Sequence, residues 1–119
     1  MKYLMLIKSS ESYRNEGIPQ ALMDAMGKFV TESFKSGVLK DTAGLTPTDQ
    51  GFRIRSSKNR LIVTDGPFTE TKEVVGGYAL AEFASRDEAM KMAREFMELH
   101  RKHWPAFEGE CEVRPLENM

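Results

Sequence analysis

The chain has 119 residues, enough for one domain with a real core and too few for two independent ones. Its 17 Lys and Arg nearly cancel its 18 Asp and Glu, which excludes both the basic field that drives phosphate-backbone binding and an acidic tail, so no direct nucleic-acid partner is expected. The single thiol, Cys111, excludes an intrachain disulfide and a multi-cysteine metal site, and fits a reducing compartment with the cysteine as packing filler.

The apolar run from Tyr3 to Ile7 ends at Lys8 and is too short for a signal peptide or membrane span, which predicts a cytoplasmic protein. It reads as a strand. Leu4 and Leu6 fall on one face and Tyr3, Met5 and Ile7 on the other, so both faces should be covered. The Ser, Glu and Asn residues that follow read as a loop. Pro19 suits the first position of a helix on which Leu22, Met26, Phe29, Val30 and Ser33 form one stripe, with Gly37 as its stop. Residues 38–45 read as a strand, 46–51 as a loop, and 52–56 and 60–64 as a hairpin that delivers the chain to Asp65.

Asp65-Gly66-Pro67-Phe68-Thr69-Glu70-Thr71-Lys72-Glu73 joins a stiff turn to three carboxylates and an ammonium. Gly66 permits unusual backbone angles and Pro67 fixes its own φ, so Asp65 and Phe68 are held in defined directions. On a structural reading Asp65 caps the turn by accepting amides such as that of Phe68. On a functional reading Asp65 pairs with Glu70 or Glu73 in a cleft, one carboxyl raised enough to exchange protons near neutrality, with Tyr78 as proton donor. Lys72 then screens the glutamates or touches a ligand, and Phe68 and Tyr78 either wall an apolar pocket or join the core. Gly76 and Gly77 suit a bulge or a close strand approach; no helix start follows, so they do not form a phosphate loop.

Residues 77–84 read as a strand with Tyr78, Leu80 and Glu82 on one face and Ala79, Ala81 and Phe83 on the other. Ser85-Arg86-Asp87-Glu88 has capping-box spacing and opens a second helix. Ala89, Ala93, Phe96 and His100 lie along one stripe of it, with Met92 and Leu99 beside. Pro105 ends the helical region, and 111–115 form a last strand. His100 and His103 sit near the helix end, where imidazolium complements the dipole; a metal shared with Glu95 or Glu98 is the weaker alternative. The eight methionines fit packing.

This order predicts a single α+β domain over 1–119, a ferredoxin-like split βαβ with two helices on one face of an antiparallel sheet. A second copy packed on the other face would form a homodimer; the alternative is a monomer whose 46–51 loop and carboxy-terminal segment fold over the sheet.

Residues 1–7, Gly37-Val38-Leu39, the run from Val63 to Glu73, Gly76-Gly77-Tyr78 and Glu112-Val113-Arg114-Pro115 together resemble the DGPF-domain branch of the YCII-related proteins. The resemblance spans essentially the whole chain. It implies a dimeric α+β barrel of bacterial origin, in a group sometimes encoded beside extracytoplasmic-function sigma factors, without an established activity. The better known YCII branch carries a histidine in its first helix with an aspartate as a proposed catalytic pair. Here the first helix has no histidine, and Met26 or a neighbour stands in that region. Two functions follow as expectations. One is small-molecule binding in a cleft near the Asp65 to Glu73 loop, with Phe68, Lys72 and Tyr78 as contacts and a role as accessory to transcriptional regulation. The other is a cofactor-independent enzyme using Asp65 with Glu70 or Glu73. No tightly held cofactor or metal is expected; a haem-dependent oxygenase would require His100 or His103 to turn inward.

Overall fold

The computed structural model describes residues 1–117. The chain runs β1 (Lys2–Ser9), α1 (Glu11–Glu16), α2 (Gln20–Lys35), β2 (Leu39–Gly44), a 3-10 turn (Thr48–Gln50), β3 (Phe52–Ser57), β4 (Arg60–Asp65), β5 (Val74–Glu82), α3 (Arg86–His103) and β6 (Gly109–Pro115). Strands β2, β5, β1 and β6, in that spatial order and with antiparallel neighbours, make the main sheet. With the β3–β4 hairpin set apart, this is the ferredoxin-like order expected from the element pattern.

The alternation along β1 decides the layering. Tyr3 and Met5 are buried against the helices together with Leu39, Ala81 and Phe83, and Ala89 and Ala93 of α3 close on them. The small alanines let α3 approach the sheet. Leu22 of α2 is fully buried, and Phe29 of α2 meets Phe96 of α3 with ring centroids 6.0 Å apart, so the two amphipathic stripes face each other over the sheet. Pro19 stands at the N-cap of α2, one place before the position expected. Ser85 caps α3, its hydroxyl accepting the Glu88 N–H. The Glu88 carboxylate reaches back to the Ala84 N–H at 2.9 Å, one residue beyond the ordinary capping-box partner.

Two local differences from the sequence expectation matter. The segment after β1 holds a short helix, α1, where a loop was expected; it is tied by its first residue, whose carboxylate binds Thr48. Strand β5 begins at Val74 because Lys8 and Ser9 continue the ladder past Gly77, pairing with Val75 and Val74. The register shift falls between Ile7 and Lys8 and leaves Gly76 as the extra residue of a bulge, the role expected of the diglycine. A Cβ on Gly77 would lie 3.0 Å from the Ala43 carbonyl oxygen, so glycine there permits the close approach of β2.

The outer sheet face carries Leu4, Leu6 and Leu80, all half-buried. Lys8 bridges Glu112 at 2.7 Å and Glu110 at 3.1 Å on this face. The 46–51 loop does not lie over it, being held to Glu11 and to residues 66–68. The β3–β4 hairpin is amphipathic: its register sets Ile54 opposite Val63 and Ser56 opposite Leu61, and Phe52, Ile54, Leu61 and Val63 are exposed together on one side. It stands out as an arm. The radius of gyration, 15.9 Å, accordingly exceeds the roughly 13.5 Å of a compact chain of this length.

Candidate functional site

Between the helices and the sheet lies a cavity of about 390 Å³. Its floor is the inner face of the sheet, from Met5 and Ile7 of β1, Leu39 and Thr42 of β2, Ala79 of β5 and Cys111 of β6; Leu22, Met26 and Val30 of α2 and Met92, Phe96 and His100 of α3 form its roof. Small residues keep it open. Ala43, Gly44, Gly76 and Gly77 border it where β2 meets β5, and a Cβ on Gly77 would crowd the Ala43 carbonyl oxygen and the Ile7 side chain. Among the described residues, no Lys, Arg, Asp or Glu lines the space.

One end is walled by aromatic rings. Tyr13 from α1 packs edge-on against Trp104 and Phe107, with centroids 5.8 and 5.3 Å away; Trp104 stacks on Phe107. His100 stands between Phe96 and Phe107, at 4.8 and 5.1 Å, and only 6% of its surface is exposed. Its Nδ1 lies 3.0 Å from the Phe96 carbonyl oxygen. A carbonyl only accepts, so Nδ1 carries the hydrogen and the neutral ring presents Nε2 as an acceptor. Burial pushes the imidazole below its ordinary value, against the opposing pull of the Phe96 carbonyl, which keeps it neutral. Burial likewise raises the Cys111 thiol, so this cysteine is a protonated wall group rather than a nucleophile.

The Asp65 to Glu73 loop is built differently. A Cβ on Gly66 would sit 1.6 Å from the Thr48 carbonyl oxygen, so only glycine lets the loop lie against the 3-10 turn; the Gly66–Pro67 peptide is cis. The Phe68 N–H donates to the Thr48 hydroxyl at 3.1 Å. The cap expected from Asp65 is therefore supplied by Thr48, because the docked turn brings that hydroxyl to the amide first. Phe68 is buried beneath the Arg53 guanidinium, 3.8 Å from ring centroid to the guanidinium carbon, and Arg53 also binds Glu70 and Thr71, each at 2.9 Å. Asp65, Glu70, Lys72 and Glu73 are all exposed.

Of the catalytic and ligand-contact candidates named in the sequence, Asp65, Phe68, Glu70, Lys72, Glu73 and Tyr78, only Tyr78 borders the cavity. Its hydroxyl donates to Asp41 Oδ2 at 2.9 Å, and that bond, then burial, raises its pKa. His100 is the histidine that turns inward, as a haem ligand would. The lining has no basic side chain, among the described residues, to meet the propionates, so the cavity does not fit that group. Nor do three or more His, Cys, Asp or Glu among the described residues gather where they would hold a metal ion. The inward turn of His100 had a signal in the sequence: it shares the stripe of Ala89, Ala93 and Phe96.

Residues 1–100 match the family description of the YCII-related domain. The chain belongs to this family. An uncharacterised protein of Rhizobium meliloti is similar to it, with 35% identity over 123 aligned residues that cover 98% of this chain and 92% of the relative. This YCII-related protein has, among its described residues, no helix long and apolar enough to cross a membrane.

Proposed function

We propose that this YCII-related protein binds an uncharged, largely apolar small molecule in the cavity between α2, α3 and the main sheet. The observation that carries the reading is the cavity itself. A close-packed core keeps few voids much larger than a water, whereas a space of about 390 Å³ lies in the range of small-molecule sites, about 300–1,000 Å³. Its apolar wall broken by a few polar groups has the composition of such sites. The Asp65 to Glu73 loop offers less for either a ligand cleft or acid/base catalysis, because its carboxylates face solvent and Glu70 is engaged by Arg53.

The resemblance to the DGPF branch supports a role beside transcriptional regulation, with the ligand as its signal. It also supports a dimeric α+β barrel in which a second copy covers Leu4, Leu6 and Leu80. The exposed apolar side of the β3–β4 arm is a further surface that such a copy would cover.

A thermal-shift screen of neutral aromatic and alicyclic compounds tests the binding reading. A ligand of the native state raises the melting temperature with concentration. The wild type and Asp65→Asn should both respond, while Met26→Trp, which narrows the cavity, should respond more weakly. A response lost in Asp65→Asn and kept in Met26→Trp would move the site to the loop.

A further inference from the structure

We propose that His100 is the polar anchor of this cavity and that the ligand is a neutral aromatic molecule whose single hydroxyl, of phenol type, donates to His100 Nε2. The proposal rests on the reading that the cavity holds a small molecule, and adds the chemical class of that molecule. The first ground is that Nε2 is an acceptor left over. Nδ1 is committed to the Phe96 carbonyl, and Nε2 has no partner among the described residues, on a side chain more than nine-tenths buried. No buried side-chain nitrogen or oxygen among the described residues lacks a partner, so Nε2 keeps accessible surface, and His100 lines the cavity. A ligand hydroxyl in the cavity would supply the donor that Nε2 can accept.

The second ground is that the hydroxyls on the inner face of the sheet are already used. The Ser9 hydroxyl donates to the Ser10 carbonyl and that of Thr42 to the Tyr78 carbonyl at 2.8 Å; the Tyr78 hydroxyl, bonded to Asp41, lies on the outer face with Leu6 and Leu80. A ketone, ether or nitrile would find those two hydrogens taken and would be left with the Tyr13 hydroxyl and the Trp104 N–H at the aromatic end, whereas a hydroxyl also finds the free Nε2 lone pair. The third ground is the charge-free lining: a phenolate or carboxylate would be a buried charge with no cation beside it among the described residues, which is strongly unfavourable. The fourth is the wall. Phe96, His100, Phe107, Trp104 and Tyr13 present ring faces and edges, with successive centroids 4.8 to 5.8 Å apart, and offset or edge-to-face contact with a planar ring is favourable there.

Titration calorimetry with 4-ethylphenol, 4-ethylanisole and ethylbenzene tests this on the wild type and His100→Phe. The phenol should bind the wild type roughly three- to tenfold more tightly than its methyl ether, the worth of one net hydrogen bond. That advantage should vanish in His100→Phe while ethylbenzene binding persists. Should the variant fail to fold, nitrogen NMR of the wild type gives the same answer: the His100 Nε2 resonance moves with 4-ethylphenol and stays with 4-ethylanisole. Equal affinity for phenol and ether, with ethylbenzene still bound, overturns the anchor alone. Binding of none of the three overturns the anchor and the cavity reading together.

Discussion

The carboxylate of Glu11 accepts hydrogen bonds from both the N–H and the hydroxyl of Thr48. The same hydroxyl oxygen accepts the Phe68 N–H, so three segments distant in sequence meet at one threonine: α1, the 3-10 turn and the Asp65 to Glu73 loop. The signature loop of this YCII-related chain is thus held to the turn through its backbone, while its Glu70 carboxylate ties it to Arg53 of β3.

Thr48→Val keeps the shape and removes the hydroxyl, leaving the Phe68 N–H and one Glu11 oxygen without that partner. A loss of about 1–3 kcal/mol is expected in urea denaturation, with Thr48→Ser close to the wild type. The pH dependence has a definite sign. The Thr48 hydroxyl, then its N–H, holds the Glu11 carboxyl below its ordinary value of 4.5, so the linked stability is present above that value and is lost as pH falls through the lower folded one. Thr48→Val should therefore show a smaller loss of stability on acidification than the wild type.

Gly66→Ala places a methyl group against the Thr48 carbonyl, at a built distance of 1.6 Å. Backbone cannot yield as a flexible side chain would. The variant should lose at least about 2–3 kcal/mol, the upper range for overpacking, and melt well below the wild type. A melting temperature within a degree or two of the wild type would show that the loop is free to lift off the turn.

The ferredoxin-like sheet was legible because its signals are local. The alternation Tyr3, Met5 against Leu4, Leu6, the Ser85 cap and the diglycine bulge each depend on residues a few positions apart. The cavity was not legible for the opposite reason: its walls come from β1, α1, α2, β2, β5, α3 and β6, and no short window of sequence holds two opposing walls. Helix α1 escaped notice because a six-residue helix has too few turns for a periodic stripe and depends on a bond to Thr48. His100 lay on an apolar stripe, but its location near a helix end suggested a dipole partner. Phe107, which closes over it from beyond Pro105, supplies the burial that the helix alone could not reveal.

His100 gives a second pH effect, toward the acid side of neutrality. In the unfolded chain the imidazole takes up a proton near pH 6.5; in the folded chain burial lowers that value. Between the two values the unfolded state holds more protons, so stability is full above about pH 6.5 and declines as pH falls toward the folded value. Denaturation between pH 7.5 and 5 should show this slope in the wild type and a reduced slope in His100→Phe. An equal slope in both proteins would mean that His100 is already open to protonation when folded.

The proposed dimer is checked by sedimentation velocity. At micromolar concentration the wild type should run as a dimer, and Leu6→Glu, which puts a carboxylate amid Leu4 and Leu80 on the outer face, should shift it to monomer while retaining its circular dichroism. Ile54→Glu on the arm should weaken the dimer only if the arm takes part. A wild-type monomer at these concentrations would leave the outer face to solvent.

The most direct measurement is amide-resolved NMR of the folded protein during titration with ethylbenzene or 4-ethylphenol. A ligand in the cavity gives saturable shifts at Ile7, Thr42, Ala79, Phe96 and His100, which come from four separate elements and all line that space. Saturable shifts confined to residues 65–73, or none at any residue, would contradict a binding site between the helices and the sheet.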